Sequence, residues 1–343
     1  MRVTDEETLL RAYDEQMRGI SNSGRPGLII EQDGPVLRVA GQHRGFVTGP
    51  RDLGVDGPGL DALIARQRDY FAVRGEAVEW KTRGHDLPAS LTGRLRAAGF
   101  VPEDQETVVI GAASDLAGDP LVADGATLRE VTADADLHAI AAMESAVWGQ
   151  DFSWIAEDLI ARRAFAGSDI TVFAVTDDVT GEVVSAAWIL YHPGTDFAYL
   201  AGGSTLEPWR KRGIYRALVA VRARQAAARG TRYVMVDASD DSSPILRRLG
   251  FKAVTTTTPY VWTPPAASEA RRPLPRVPNR AKPRRPALTP AGQTGQIYKA
   301  VRKCRIFAYM ARAGPGVVIA HIVTIGVPWL VIGEEPSAAP NGG

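Results

Sequence analysis

The apolar positions of this chain follow two periods, which predict helices and strands in alternation. Apolar residues recur every three or four positions, the spacing of helices that bury one face, at 5–20, 60–73, 87–98, 134–147, 153–164 and from Ile214 onward. Short apolar runs between turn residues predict strands at 28–30, 36–40, 77–81, 107–110, 127–131, 171–176, 182–191, 197–201, 233–236 and 255–262. Because the two kinds of element alternate, we expect an α/β (α+β) fold in which helices flank a mixed sheet. Pro259 predicts that the last strand lies near a sheet edge, since proline has no amide proton for a central ladder.

A short sequence pattern occurs twice. GRLRAAGF at 93–100 lies 151 residues before PILRRLGF at 244–251, and each copy closes a predicted helix and precedes a predicted strand. The repeat predicts two copies of one module, residues 1–114 and 127–263, joined by a Gly/Ala/Asp-rich linker at 115–126. The first copy has only a loose glycine pattern at 57–62 and no basic run beside it, so we interpret it as degenerate.

The composition changes after residue 263. Residues 264–312 hold twelve Lys or Arg residues and one acid, whereas residues 1–263 are net acidic, although the whole chain carries only +1. Seven prolines between 265 and 290 remove backbone donors at short intervals, so we predict that 264–295 is a disordered basic linker. Residues 296–343 form a basic and apolar tail, in which the run 314–333 approaches the length of a membrane span. This run has three alternative interpretations: a membrane anchor, an element packed on the body, or a tail without function. The anchor is not favoured.

The stretch 196–230 carries the clearest chemical signal. A predicted strand is followed by two glycines, a Pro-Trp turn, the basic run Arg210, Lys211 and Arg212, then Gly213 and a helix. The first amides of a helix have no partner within it, and the helix dipole favours negative charge there. Glycine lets the backbone approach a phosphate closely. The stretch therefore predicts a binding site for a pyrophosphate.

The loop Arg210-Lys211-Arg212-Gly213-Ile214 resembles the acyl-CoA loop of the GNAT (Gcn5-related) N-acetyltransferases, and residues 243–251 resemble the second motif of that family, a helix that ends in Leu-Gly-Phe. The repeat resembles the tandem proteins of the family. The resemblance implies transfer of an acetyl group from acetyl-CoA to a primary amine by direct attack in a ternary complex. An acyl-CoA-binding sensor or scaffold without turnover is the alternative. Two positions depart from the family pattern: Tyr215 stands where Gly or Ala is preferred, and Leu246 where many members carry a tyrosine that protonates the departing thiolate.

The resemblance also implies which residues contact the cosubstrate. The loop would hold the pyrophosphate, while backbone groups at the end of the preceding strand would bind pantetheine and polarise the thioester carbonyl. These residues are Ser204, Thr205, Leu206, Arg210, Lys211, Arg212, Gly213, Ile214, Tyr215 and Ser243. We expect the bulky side chain of Tyr215 to point away from the pyrophosphate.

The implied reaction needs a general base, because an ammonium group must lose a proton before it attacks. Asp237, at the end of the strand 233–236, and Tyr199, on the preceding strand, are the first candidates. Glu144 and His192 are further ones. Ser242, Ser243 or solvent would replace the missing tyrosine as the acid.

Composition excludes several other classes of function. The single cysteine, Cys304, excludes a disulfide framework and a cysteine-rich metal site, and no metal cofactor is expected. The acidic, helical N-terminus is unlike a secretory signal, so a cytoplasmic location is the expectation. The expected partner is a small-molecule or peptide amine. Nucleic acid is disfavoured because the basic residues of 271–312 show no aromatic interleaving of the kind that binds single strands. Membrane contact through the tail is possible but not favoured.

Overall fold

All strands of the described residues belong to one mixed sheet, with helices on both of its faces. The computed structural model describes residues 5–19, 27–122, 124–165 and 170–265. The strands are β1 (Ile29–Asp33), β2 (Val36–Ala40), β3 (Gly45–Thr48), β4 (Val78–Arg83), β5 (Val101–Pro102), β6 (Glu106–Ala112), β7 (Ala126–Glu130), β8 (Ile170–Asp177), β9 (Val183–Tyr191), β10 (Phe197–Thr205), β11 (Tyr233–Ala238) and β12 (Lys252–Trp262). The helices are α1 (Glu6–Gln16), α2 (Gly57–Arg74), α3 (Leu91–Ala97), α4 (Ala113–Leu116), α5 (Asp134–Trp148), α6 (Trp154–Ala164), α7 (Ile214–Ala228) and α8 (Ser242–Leu249). The predicted α/β class is confirmed.

The order of the strands shows that the two halves of the chain exchange their last strands. The sheet runs β1-β2-β3-β4-β12-β6-β11-β10-β9-β8-β7, and β5 pairs with β12 outside this path. The final strand of the second half, β12, lies between β4 and β6, while the final strand of the first half, β6, pairs with β11. The middle of the sheet is therefore built from both halves.

The expectation that Pro259 marks a sheet edge is wrong, because β12 lies at the centre of the sheet. The physical reason is that β12 is eleven residues long and extends beyond the end of β6. Pairing with β6 ends at Thr257, so Pro259 lies beyond it, on a side where only the two-residue β5 follows. There the carbonyl of Pro259 accepts a hydrogen bond from the backbone amide of Glu103 at 2.8 Å, and no donor is needed from the proline.

Several local details differ from the predicted elements, and the short elements β5 and α4 were not predicted. The helix expected from residue 87 begins at Leu91, after Pro88, a residue type that ends or delays helices. The strand β3 was not predicted, because all four of its residues are buried and it shows no alternation of apolar and polar positions. It pairs in parallel with β4, and parallel strands are commonly buried on both faces.

The repeated Gly-Phe pattern ends two helices in the same way. Gly99 and Gly250 both have positive φ, 91° and 113°, a conformation that glycine adopts without strain. In each case the following amide, of Phe100 or Phe251, donates to a carbonyl five residues earlier, at 3.0 and 3.1 Å. Both phenylalanines are buried, in separate clusters. The division of the chain at 115–126 stays a prediction.

Helices cover each face of the sheet over its own apolar cluster. Helices α1, α5 and α6 pack over one face of the second half and the centre of the sheet, while α4, α7 and α8 pack over the other, and α2 and α3 cover the cluster of the first half. No helix among these described elements is long and apolar enough to cross a membrane. The predictions for 266–343, including the run 314–333, concern residues that lie outside the described part of the chain.

Candidate functional site

Strands β10 and β11 separate part-way along their length. They pair in parallel only over residues 197–199 and 233–235, after which β10 continues to Thr205 and β11 to Ala238. We call the gap beyond this pairing the β10–β11 opening. Backbone groups that border such a gap have no strand opposite them, so those without another partner in the chain are available to an extended, amide-containing ligand.

Two aromatic rings contact a bulge in β10 beside this opening. The register between β9 and β10 shifts between Ala201 and Ser204, which makes room for Gly202 and Gly203. A Cβ on Gly202 would overlap the ring of Trp188, and a Cβ on Gly203 would lie 2.8 Å from Cε2 of Tyr215. Because Trp188 belongs to one core cluster and Tyr215 packs against the other, the rings approach the glycines from opposite faces. The glycine pair is therefore required by close packing.

A buried arginine holds the carbonyls at this bulge. The guanidinium of Arg222, on α7, donates to the carbonyl oxygens of Trp188 at 3.1 Å and Ala201 at 3.0 Å, and to that of Leu218 in its own helix at 2.8 Å. Burial lowers its pKa to about 10. Sequence reasoning missed Arg222, because one arginine in an alanine-rich helix has the appearance of a surface charge. Its place four residues after Leu218, on the apolar stripe of the helix, was the signal.

The basic loop ends at an uncapped helix. A 3-10 helix, Glu207–Trp209, leads into Arg210, Lys211 and Arg212, all exposed, and Gly213 is the N-cap of α7 with φ of 80°. No side chain caps α7 and no acid lies in its first turn. A Cβ placed on Gly213 would meet no atom within 4 Å, so the space in front of these amides is open. The guanidinium of Arg212 stacks over Trp209 at 4.5 Å, and Arg210 Nε donates to the carbonyl of Thr205 at 3.0 Å.

The corresponding helix of the first half starts differently. Helix α2 has Asp56 as its N-cap, and the carboxylate accepts hydrogen bonds from the amide of Gly57 and the hydroxyl of Ser90, both at 2.7 Å. A carboxylate at this position satisfies the helix and repels a second anion. This difference supports the interpretation of the first copy as degenerate.

Asp237 and Tyr199, the first candidates for a base, are held in a buried network with Lys81. Lys81, on β4 of the first half, forms an ion pair with Asp237, and the Tyr199 hydroxyl donates to Asp237 Oδ2 at 3.2 Å. Burial and the charge of Asp237 raise the pKa of Tyr199 well above its ordinary value, so the phenol keeps its proton. Lys81 was missed, because its partner lies 156 residues away in the sequence.

A small cavity adjoins this network where the two halves meet. Its lining includes Tyr13, Thr48, Lys81, Arg83 and His192, together with Tyr199 and Asp237. Burial lowers the pKa of His192 to about 3, so its imidazole is neutral and a weak base at neutral pH. Among the described residues no group of three or more His, Cys, Asp or Glu side chains is placed to hold a metal ion.

Solved structures similar to this chain include GNAT proteins. A GCN5-related N-acetyltransferase from Kribbella flavida matches with a TM-score of 0.54 at 17% identity, over 78% of this chain and 99% of that chain. A tandem GNAT protein from the clavulanic acid biosynthesis pathway matches with a TM-score of 0.50 at 16% identity, over 77% and 97%. No family model and no curated protein matches the sequence.

This chain has the GNAT fold. The GNAT fold brings the loop residues Arg210 to Tyr215 together with Ser204, Thr205 and Leu206 around one end of the β10–β11 opening. Three of the predicted pantetheine-binding groups have partners within the chain: the amide of Leu206 donates to Val184, and the carbonyls of Ser204 and Thr205 accept from Ser185 and Arg210. Ser243 is buried in the first turn of α8, where its amide donates to Ser239 at 2.8 Å.

Glu144 lies on the other side of this strand end. It is fully buried on α5, its Oε2 accepts a hydrogen bond from Trp148 Nε1 at 2.8 Å, and its Oε1 has no hydrogen-bond partner among the described residues. Burial raises its pKa to about 7, although the neighbouring side chains of Ser204 and Trp148 oppose the shift. The Ser204 hydroxyl accepts from the same Trp148 nitrogen at 3.2 Å. The chain therefore places a carboxyl group that titrates near neutrality next to the bulged end of β10.

Proposed function

We propose that this protein transfers an acetyl group from acetyl-CoA to a primary amine by direct attack in a ternary complex. The observation that carries the proposal is the uncapped start of α7, with its three exposed cations, beside a parallel strand pair that separates. Helix amides, a glycine of positive φ and cationic side chains fit a pyrophosphate. The neighbouring opening fits the extended pantetheine arm that is attached to it.

Different residues of the chain would bind the cosubstrate, orient the thioester and stabilise the oxyanion. Amides of residues 210–215 would bind the pyrophosphate, and the backbone at the end of β10 would orient the thioester. Backbone N–H groups fixed by a bulge are preorganised donors for the oxyanion of a tetrahedral intermediate. Arg222 holds that bulge in place by binding the carbonyls of Trp188 and Ala201.

Glu144 is the base that the geometry supports best. A base whose pKa lies near the working pH combines a deprotonated form with useful basicity, and Glu144 has a pKa of about 7. The Ser204 hydroxyl, which shares the Trp148 Nε1 donor with Glu144, would pass the proton of the attacking ammonium to the carboxylate. The charge of Asp237 is paired with that of Lys81, and Tyr199 keeps its proton. Neither residue is therefore as well placed as Glu144 to accept a proton.

A protein that binds acyl-CoA without turnover is the second candidate. Two observations favour it: the charge of Asp237 is held by Lys81, and Leu246, at the position of the family's tyrosine acid, is fully buried in the core. Release of free CoA thiol in the presence of a panel of primary amines distinguishes the two. Binding of CoA without amine-dependent thiol release would identify the binder.

The binding site itself is tested by calorimetry with CoA. Gly213→Val should weaken CoA binding roughly tenfold or more, because a branched side chain at positive φ displaces the amides that face the phosphates. Arg210→Ala should cost less, since an exposed cation is screened by salt. Gly57→Val is the matched control, because Gly57 also has positive φ, 55°, at a helix start and open space around it. Equal CoA affinity of the folded Gly213→Val and Gly57→Val proteins would show that this loop is not the CoA-binding site.

A further inference from the structure

Arg83 is a buried cation, and its side-chain hydrogen bonds go to uncharged groups. It lies on β4 of the first half, where it is 6% exposed. Its guanidinium donates to the hydroxyls of Tyr13 at 3.1 Å and Thr48 at 2.9 Å, and to the carbonyl of Lys81 at 3.3 Å. A guanidinium keeps its charge at neutral pH. The chain therefore buries a positive charge without a paired acid, which is costly unless a counter-charge is supplied.

Two other arginines of the first half have acidic partners. Arg18 forms an ion pair with Asp86 at 2.7 Å, and Arg44 forms one with Glu103 at 3.1 Å. Within the part of the chain that the structure describes, no carboxylate forms an ion pair with Arg83. The region therefore contains acids, but they are paired with other cations.

Glu106 does not supply the missing charge. Arg83 and Glu106 pair with opposite sides of Thr257 on β12, so both side chains lie on the same face of the sheet with one strand between them. Neither oxygen of the Glu106 carboxyl group has a hydrogen-bond partner among the described residues. Burial raises its pKa well above the ordinary value, which favours the protonated, neutral form.

Arg83 lines the small cavity beside Lys81 and Asp237. The cavity volume is about 20 Å³, room for one water molecule or for a group of that size. Its charged lining residues are Lys81, Arg83 and Asp237, since His192 is neutral. Lys81 and Asp237 form an ion pair and balance each other. The lining is therefore left with one positive charge, that of Arg83.

We propose that this cavity binds a small monovalent anion, and that during turnover the anion is a carboxylate group of the acceptor amine. The second part rests on the proposed function, whereas the first part does not. One negative charge balances the lining, and a halide ion or one carboxylate oxygen has the size of the cavity. The planar guanidinium matches a carboxylate better than an ammonium group does.

The position of the cavity connects the anion to the reaction. Tyr199 is the last residue of β10 that pairs with β11, and Asp237 lies two residues beyond the last paired residue of β11. Both residues line the cavity. An acceptor whose carboxylate is held at Arg83 would therefore extend towards the β10–β11 opening, where the proposed function expects the thioester.

The first experiment tests the anion site without turnover. Thermal unfolding is measured in rising sodium chloride or sodium formate, while sodium gluconate, which is larger than the cavity, keeps the ionic strength constant. The proteins are the wild type, Arg83→Met, Arg83→Gln and Arg44→Met. Arg83→Gln can still hydrogen bond and replaces the methionine variant if that one does not fold. Arg44→Met is the matched control, because it removes a cation that is already paired.

Both anions should raise the melting temperature of the wild type and of Arg44→Met, since a ligand of the folded state stabilises it. Neither anion should stabilise the two Arg83 variants in this way.

The second experiment tests the acceptor as the source of the anion. Amine-dependent release of CoA thiol is compared for glycine, β-alanine and γ-aminobutyrate and for the alkylamines that lack only the carboxylate. The best amino acid should exceed its alkylamine in kcat/KM by roughly tenfold or more, because a charge-assisted hydrogen bond is gained. Arg83→Met should lose this preference through a higher KM for the amino acid, with little change for the alkylamine.

The outcomes separate the two parts of the inference from the proposed function. Equal melting shifts and equal preferences in the wild type and Arg83→Met would overturn the inference and leave the proposed function standing. Shifts that need Arg83, with equal turnover of amino acids and alkylamines, would identify a free ion as the ligand and overturn the role of the acceptor. A preference that needs Arg83, without a shift, would support the carboxylate and exclude the free ion. Absence of thiol release with every amine would refute the proposed function and the role of the acceptor, while the melting shifts still decide whether the cavity binds an anion.

Discussion

Substitution of Glu144 by glutamine separates the cost of burying a carboxylate from the chemical role of that carboxylate. Glutamine keeps the size of the side chain and can still accept from Trp148, but it neither carries a charge nor takes up a proton. The pKa of Glu144 is about 7 in the folded protein, against an ordinary 4.5. A shift of that size corresponds to about 3 kcal/mol of free energy of unfolding once the group is ionised.

The sign of the effect follows from the direction of the shift. Between pH 4.5 and 7 the folded protein retains a proton that the unfolded chain has released, so Glu144 makes stability fall as pH rises through this range. Above pH 7 the penalty is complete. Glu144→Gln should therefore differ little from the wild type at pH 4.5 and should gain stability progressively, up to about 3 kcal/mol at pH 8.

The assay is urea unfolding at several pH values, combined with amine-dependent release of CoA thiol. Glu79→Gln is the matched control, because Glu79 is also buried and burial raises its pKa to about 7, yet it lies on β4 in the first half. Both variants should gain stability at high pH. Only Glu144→Gln should lose turnover, by roughly a hundredfold or more, together with the limb of the rate profile near pH 7.

Two results would refute this reasoning. A stability difference that does not change between pH 4.5 and 8 would show that burial does not raise the pKa of Glu144. Equal turnover by Glu144→Gln and Glu79→Gln would show that Glu144 is not the base, whatever its pKa.

Two further predictions concern the middle of the sheet and the end of the described chain. Lys81→Met should cost about 3–5 kcal/mol of unfolding free energy, because it removes the ion-pair partner of the buried Asp237 carboxylate. The double variant with Asp237→Leu should recover most of that loss in urea unfolding, and equal stability of the single and double variants would contradict the pairing. A chain ended at Thr263 should melt near the temperature of the full protein and bind CoA, since the last described strand ends at Trp262. A melting temperature lower by several degrees would show that residues beyond 263 stabilise the body.

The features that sequence predicted best are those set by neighbouring residues. The loop from Arg210 to Gly213 was recognisable because the cations, the glycine and the helix start are consecutive. The bounds of most helices and strands of the second half were predicted to within a few residues, because each of these helices buries one apolar face and each of these strands contains an apolar run. The two Gly-Phe helix ends were found for the same reason, because glycine must follow the helix directly to adopt positive φ.

The features that sequence missed depend on contacts between distant segments. Lys81 and Asp237 belong to different halves, and neither residue has a neighbour in the sequence that indicates its partner. Arg222 binds carbonyls that are available only because β10 bulges, and the bulge itself depends on two rings packed against Gly202 and Gly203. The raised pKa of Glu144 likewise results from its burial on the sheet-facing side of α5, which the composition of the helix does not reveal.

The exchange of β6 and β12 determines how the roles of the two halves can be tested. The interpretation of the first copy as degenerate implies that only residues 127–262 bind CoA, and separate expression of each half is the obvious test. In the structure a separate second half would lack β6, the neighbour of β11, and its own β12 would have neither β4 nor β6 beside it. An exposed strand edge in place of the β6 contact would disturb β11, one wall of the opening, so loss of binding would not identify the half responsible. The comparison of Gly213→Val with Gly57→Val places the same backbone strain at the two helix starts of the intact chain, and the difference in CoA affinity between them assigns the site to one half.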